Sequence, residues 1–244
     1  MSAQVFIIAA PRSGAGFLHK LLLLDESFHA GPLTSDENIV SFLEKGLTKN
    51  NYEFGEKKTK KLTPAQKLKL QTEYGSRNLK SSKVVVDYNP RLSVHVSELA
   101  DAFPDAKFIF VTRNPAQTIW SARRAWESKK FVSYPDLPDW WGEPWAFALT
   151  PNWRDLIGQP MLNIVASQWA NSVESIFKAS ENIAPERWVN SSFETLMTKP
   201  QEEISRIAEA LKIKWKGKIP HILPTSENAL LLPGGRNLEF QWGR

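Results

Sequence analysis

A cation stands among mostly small residues near the start of the sequence, in Pro11-Arg12-Ser13-Gly14-Ala15-Gly16-Phe17. They follow an apolar, partly β-branched run, Val5-Phe6-Ile7-Ile8, and lead into an amphipathic stretch carrying Leu18, Leu21 and Leu22. A strand, a tight loop and a helix start, in that order, make an anion site. The first N–H groups of a helix lack internal partners, and the helix dipole adds about half a positive charge there. Gly14 and Gly16 let backbone approach a ligand closely, and Arg12 supplies a fixed cation. The triphosphate-binding pattern G-x-x-x-x-G-K-[ST] requires Lys and then Ser or Thr where this chain has Ala15 and Gly16. The usual triphosphate and magnesium ligands are missing, so an anion is bound here in another manner than in an ATPase.

A second cation closes another strand-like run, Lys107-Phe108-Ile109-Phe110-Val111-Thr112-Arg113, and Asn114-Pro115 then opens a helix carrying Ser121. A guanidinium fork suits a phosphate dianion. The plainer alternative pairs Arg113 with Asp87 or Asp105 and turns Ser121 back onto its own helix. A third segment, Trp188-Val189-Asn190-Ser191-Ser192-Phe193-Glu194-Thr195-Leu196, precedes Pro200. In this order, each after a strand, the three segments resemble the sulfotransferases that use 3′-phosphoadenosine 5′-phosphosulfate (PAPS). Pro11-Arg12-Ser13-Gly14 is similar to that family's 5′-phosphosulfate loop, and Arg113 with Ser121 to its 3′-phosphate motif. The third segment is similar to its strand plus Y-E-D-L, with Phe193 in the Tyr place.

The resemblance implies in-line transfer of a sulfuryl group from PAPS to a hydroxyl or amine of a small-molecule acceptor, leaving adenosine 3′,5′-bisphosphate. Arg12, Ser13, Gly14, Ala15, Gly16 and Phe17 would hold the 5′ end, Arg12 also stabilising charge on the leaving oxygen. Arg113 and Ser121 would hold the 3′-phosphate. Arg236, in Gly234-Gly235-Arg236, would fold over the nucleotide as part of a C-terminal lid. The family usually carries hydroxyls where Ala15-Gly16 stand, and losing them weakens binding by roughly 1.5–3 kcal/mol each. No metal is required.

A base must take the acceptor's proton. The resemblance puts it after the first helix, which makes Glu37 the first candidate and Asp36 the second. The same stretch reads equally as a helix-capping box, Thr34-x-x-Glu37. Asp87 ends the run Val84-Val85-Val86 before Tyr88-Asn89-Pro90, similar to the family's D-K-[ST]-P with Tyr88 in the Lys place. Asp87 would act as base or position Arg12, or serve only as a turn residue. The four histidines show no metal spacing, and His29 is a candidate at the acceptor rim. Ten tryptophans are many for this length, and four lie at 140–153 within a Pro-rich stretch. Trp140 and Trp145 are expected to reach substrate while Trp153 packs; the alternative is a satellite core under a long loop.

These residues need a frame. Segments at about 4–9, 83–87, 107–112 and 187–191 are short and apolar, and three lead into helical patterns. Helices are expected after the first loop and over about 115–126, 161–179 and 200–211. The expected fold is α/β: a P-loop-like three-layer sandwich, its central parallel sheet of about four to five strands flanked by helices. Ligands then bind at the carboxyl ends of the strands. One domain over 1–244 is expected, with a Trp/Pro-rich insert at about 129–158, a connector at 46–63 and a C-terminal tail from about 217.

Composition narrows the class. The 244 residues are 42% hydrophobic, enough for a sizeable core, and lack cysteine, which excludes disulfides and thiolate metal sites. The net charge of +5 is modest, and its clearest cluster, Lys57-Lys58-Thr59-Lys60-Lys61, reads as a solvated loop. A small polyanion accounts for that bias without nucleic acid. No apolar run approaches the ~20 residues of a membrane span. A strand starting by Val5 leaves no room for a leader, so a cytoplasmic protein without membrane partners is expected, a homodimer remaining open. The rival readings are a P-loop nucleotide phosphotransferase (kinase) and a non-catalytic anion- or nucleotide-binding protein.

Overall fold

In the computed structural model, residues 3–35, 40, 43–44, 52, 62–77 and 84–219 are described, with strand pieces at 223–224, 230–231 and 237–238. In chain order, β1 (Gln4–Ile8) leads into α1 (Ala15–Leu22), β2 (Phe28–Ala30) and the single turn α2 (Pro32–Ser35). Then come α3 (Pro64–Arg77), β3 (Val84–Tyr88), α4 (Val96–Ala102), β4 (Lys107–Thr112) and α5 (Pro115–Glu127). The insert contributes β5 (Val132–Tyr134) and β6 (Trp145–Ala146). The long α6 (Met161–Ser180), β7 (Trp188–Ser192), α7 (Phe193–Thr198) and α8 (Pro200–Ala210) complete the layered part.

Five strands form one parallel sheet in the order β2-β3-β1-β4-β7. Alternation along each strand supplies both faces. Val5, Ile7, Val86, Ile109 and Val189 pack under α1, α7 and α8, while Phe6, Ile8, Val85, Phe108 and Phe110 pack under α3, α4 and α6. The four expected strands and four expected helices are present within a residue or two. Strand β2 and helices α3 and α4 are additions; β2 has three residues, only Phe28 of them buried, too short for a pattern.

The insert is more ordered than its prolines suggest. β5 and β6 form an antiparallel pair, and Trp126, Trp145 and Trp153 pack with Phe147 and α6 residues Ile164 and Val165. Buried Gln168 bolts it to α6: its Nε2 donates to the carbonyls of Ala146 and Ala148 at 2.8 and 2.7 Å, and its Oε1 accepts from Trp126 Nε1 at 3.2 Å. The alternative of a satellite core describes it. Among the described residues no helix is long and apolar enough to cross a membrane.

A buried charge network joins the turn after β3 to the insert. Arg91 Nε donates to Glu44 Oε1 at 2.9 Å and its Nη2 to Glu44 Oε2, with the Tyr134 ring centroid 5.5 Å from the Arg91 guanidinium carbon. His95 lies 3.8 Å from Glu44 through Nε2 and 3.4 Å from Glu98 through Nδ1. Burial alone would lower the His95 pKa, but Glu44 and Glu98 raise it to about 9. Burial would likewise raise Glu44, yet His95 and Arg91 pull it down to about 2. The His95 contribution to stability is therefore full below its ordinary pKa of 6.5 and is lost as pH rises through about 9. That of Glu44 is full above 4.5 and is lost as pH falls through about 2. Urea unfolding should show His95→Gln on the order of 2–3 kcal/mol less stable than wild type near neutral pH, the gap narrowing as pH rises above about 6.5 and nearly closed by about 9. A gap independent of pH would refute the charged pairing.

Candidate functional site

The β1–α1 loop turns through two left-handed residues, Arg12 at φ 71° and Gly14 at φ 95°. Arg12 is an unusual residue in that region, and the tight turn it makes aims its side chain out of the loop. Gly14 is required twice over. Its φ disfavours any side chain, and a Cβ there would run into the Phe193 ring, which caps the loop from the β7–α7 junction. Ser13 N–H donates to Ala10 at 3.2 Å and Phe17 N–H to Gly14 at 3.0 Å. Of the amides over Ser13–Phe17, those of Ser13 and Phe17 are so engaged, which leaves those of Gly14, Ala15 and Gly16 at the start of α1, where a helix offers no internal partner. The Ala15 and Phe17 side chains are buried, and Phe17 packs edge-on against Phe193 at 6.0 Å.

Both phosphate-type motifs meet at this loop. Arg12 Nε donates to Ser121 Oγ at 3.1 Å, and Arg113 Nη1 donates to the Arg12 carbonyl at 3.3 Å. Arg12, Arg113 and Ser121 therefore share one corner at the carboxyl ends of β1 and β4, and Ser121 is not turned back onto its helix. The Phe131 centroid lies 5.6 Å from the Arg12 guanidinium carbon, and Phe193 lies 4.5 Å from that of Arg113. Arg113 Nε is buried and has no hydrogen-bond partner among the described residues. Burial lowers the pKa of both arginines; for Arg12 the charges of Arg113 and Arg124 add to this, while Tyr88 opposes it. Arg113 is supported instead by Glu194, whose Oε1 also accepts from Asn114 N–H at 2.8 Å. Asn114 caps α5 as expected, accepting from Gln117 N–H.

Tyr88 completes the corner. Burial pushes its phenol up to about 12, and the Arg12 charge draws it partly back, so it stands protonated beside that cation. Its neighbour Asp87 has a different task. The Asp87 carboxylate is 1% exposed and accepts from Thr34 N–H at 2.8 Å, Thr34 Oγ1 at 3.1 Å and the Tyr74 hydroxyl. Burial raises it to about 6 against these bonds. With its oxygens so engaged, Asp87 joins α2 and α3 to β3 and is a structural hub, not an open base. Thr34 serves the same hub, also accepting from Tyr88 N–H at 2.9 Å, and lies inside α2 instead of capping a helix start.

Of the three expected acceptor contacts, Trp145 is corrected, while Trp140 is partly exposed and His29 exposed. Trp145 is 0% exposed, with its Nε1 donating to Ala148 at 3.0 Å, and so belongs to the core of the insert. Trp140 stacks edge-on against Trp145 at 5.1 Å and donates to the Glu143 carbonyl. His29 lies exposed on outer strand β2, level with Val85 and one residue before the strand ends at Ala30. Trp153 packs, as expected. Glu37, Asp36 and Arg236 lie outside the described residues. Sequence reasoning missed Phe131, gave Glu194 no role beyond its place in the third segment, and noted Phe193 and Tyr88 only as departures from a pattern. A cleft of about 340 Å³ opens beside the corner between β4 and α6; Ser13 and Arg113 line it together with Phe110, Trp169 and Phe177.

The family profile described as the sulfotransferase family matches residues 4–217. No curated protein sequence matches the chain significantly. Among solved structures, the sulfotransferase domain from the curacin biosynthetic pathway aligns at 17% identity and a TM-score of 0.54, covering 88% of this chain and 76% of its own. A sulfotransferase from Alicyclobacillus acidocaldarius aligns at 14% and 0.53, covering 88% and 82%. Sulfotransferase STF1 from Mycobacterium tuberculosis H37Rv aligns at 14% and 0.51, covering 88% and 68%. At these identities the likeness speaks for the fold, while the profile speaks for the family.

Gly14→Ala tests the loop. The left-handed backbone costs a side chain about 1–2 kcal/mol, and the clash with Phe193 adds to it. Thermal unfolding should show a clear loss of stability, of which Gly14→Ala with Phe193→Leu regains only the part due to the clash.

Proposed function

The chain belongs to the sulfotransferase family, and from that premise we propose that it takes its sulfuryl group from PAPS and delivers it to a hydroxyl or amine of a small molecule. One observation carries the choice of donor: the loop arginine, which bonds Ser121, and the strand-end arginine converge in a single corner. Three guanidinium groups crowd there, Arg12 being repelled by Arg113 and Arg124, an arrangement that a multiply charged anion relieves. The partnerless Arg113 Nε supports the same reading, because a buried donor without an acceptor is costly unless a ligand supplies one. The apolar cleft beside the corner suits a ligand that is anionic at its ends and flat between them.

PAPS supplies an activated sulfuryl group on a good leaving phosphate. In this reading the amides of Gly14, Ala15 and Gly16 grip the 5′ end, and Arg12 neutralises charge as the sulfur–oxygen bond breaks and the acceptor oxygen bonds to sulfur. Arg113 and Ser121 hold the 3′-phosphate, with Arg236 as a lid residue. Tyr88, neutral and next to Arg12, donates a hydrogen bond where the family's Lys would place a charge. Glu37, then Asp36, takes the acceptor's proton, and Asp87 acts by positioning the elements around Tyr88. The molecule works as one domain on a small-molecule acceptor, in the cytoplasm.

Thermal shift on the full chain should show adenosine 3′,5′-bisphosphate raising the melting temperature more than ATP or a short RNA does. Stabilisation by ATP with magnesium would favour a phosphotransferase, and stabilisation by RNA a nucleic-acid binder. Arg113→Ala should weaken the bisphosphate by about 10–100-fold while leaving adenosine 5′-monophosphate nearly unchanged.

A further inference from the structure

We infer that Phe131, which lies in the insert and outside both phosphate-type motifs, is a positioning residue that holds the Arg12 guanidinium toward the 5′-anion. The inference rests on the donor reading above. Arg12 leaves its loop from a left-handed backbone and meets the like charges of Arg113 and Arg124, so its side chain needs an outside hold. Ser121 supplies one hold through Nε, and the Phe131 ring supplies another at 5.6 Å from the guanidinium carbon, within cation–π range. A ring attracts a cation without neutralising it, so this contact takes none of the charge of Arg12 away from a ligand. A carboxylate in that place would compete with the anion.

The ring is itself held firmly. Phe131 stacks on Phe147 with centroids 5.3 Å apart and planes 28° apart, and its carbonyl accepts from Phe147 N–H at 3.2 Å. Phe147 is buried and left-handed at φ 62°, between the two alanines whose carbonyls Gln168 binds. A continuous line of contacts thus runs from α6 through the insert to the loop arginine.

The test compares two probes on the full chain by calorimetry: adenosine 3′,5′-bisphosphate and adenosine 3′-monophosphate, which lacks the 5′ anion. Phe131→Leu, which keeps an apolar side chain without a ring, should weaken the bisphosphate about fivefold and leave the monophosphate within about twofold. Phe131→Tyr should restore the wild-type ratio. Equal weakening of both probes, or of neither, overturns the positioning role while leaving the donor reading in place. A wild-type protein that prefers neither probe overturns both. If Phe131→Leu melts below the assay temperature, Phe131→Trp carries the test: it must keep or increase the preference for the bisphosphate, and a fall in it overturns the role.

Discussion

Like charge held at close quarters is the constraint around which this molecule is arranged. Arg12, at the end of β1, meets the like charges of Arg113, at the end of β4, and of Arg124 on α5, and a chain free to relax would spread them into water. The fold prevents that with groups that leave the positive charge largely intact. A carbonyl accepts from Arg113, a hydroxyl from Arg12, and two aromatic rings lie against the two guanidiniums. Glu194 is the acidic neighbour of Arg113, and it is shared with the backbone of Asn114. Such a corner is less stable empty than filled, which is the general condition for a strong anion site.

The opposite flank is held by buried polar groups that face one another. Asp87 binds α2 and α3 to the end of β3, and the Arg91–Glu44 pair with His95 joins the turn after β3 to the insert. Buried ion pairs of this kind add little net stability compared with apolar packing, but they admit few alternative arrangements. They fix where the insert sits, and the insert in turn presents Phe131 and Tyr134 to two different arginines.

How much could be read beforehand depended on whether a feature was local. The strands, the loop and the cap at Asn114 were legible because period, Gly placement and capping chemistry each act within a few residues. The meeting of Arg12 with Ser121 was legible only through resemblance, since nothing local brings them together. Trp145 misled because an aromatic in a Pro-rich stretch looks available, and only the tertiary structure reveals that its N–H is spent on Ala148. Phe131 gave no signal at all. A phenylalanine becomes part of a charged site through what the fold places beneath it, and sequence spacing does not record that.

The contact between Gly14 and Phe193 bears on the order in which the molecule is made. The glycine belongs to the loop after the first strand of the sheet, whereas the ring that caps it follows the last strand of that sheet. Every intervening strand and crossover must therefore be synthesised before the loop is covered. A chain that ends before β7 carries both an uncapped loop and an exposed flank on β4.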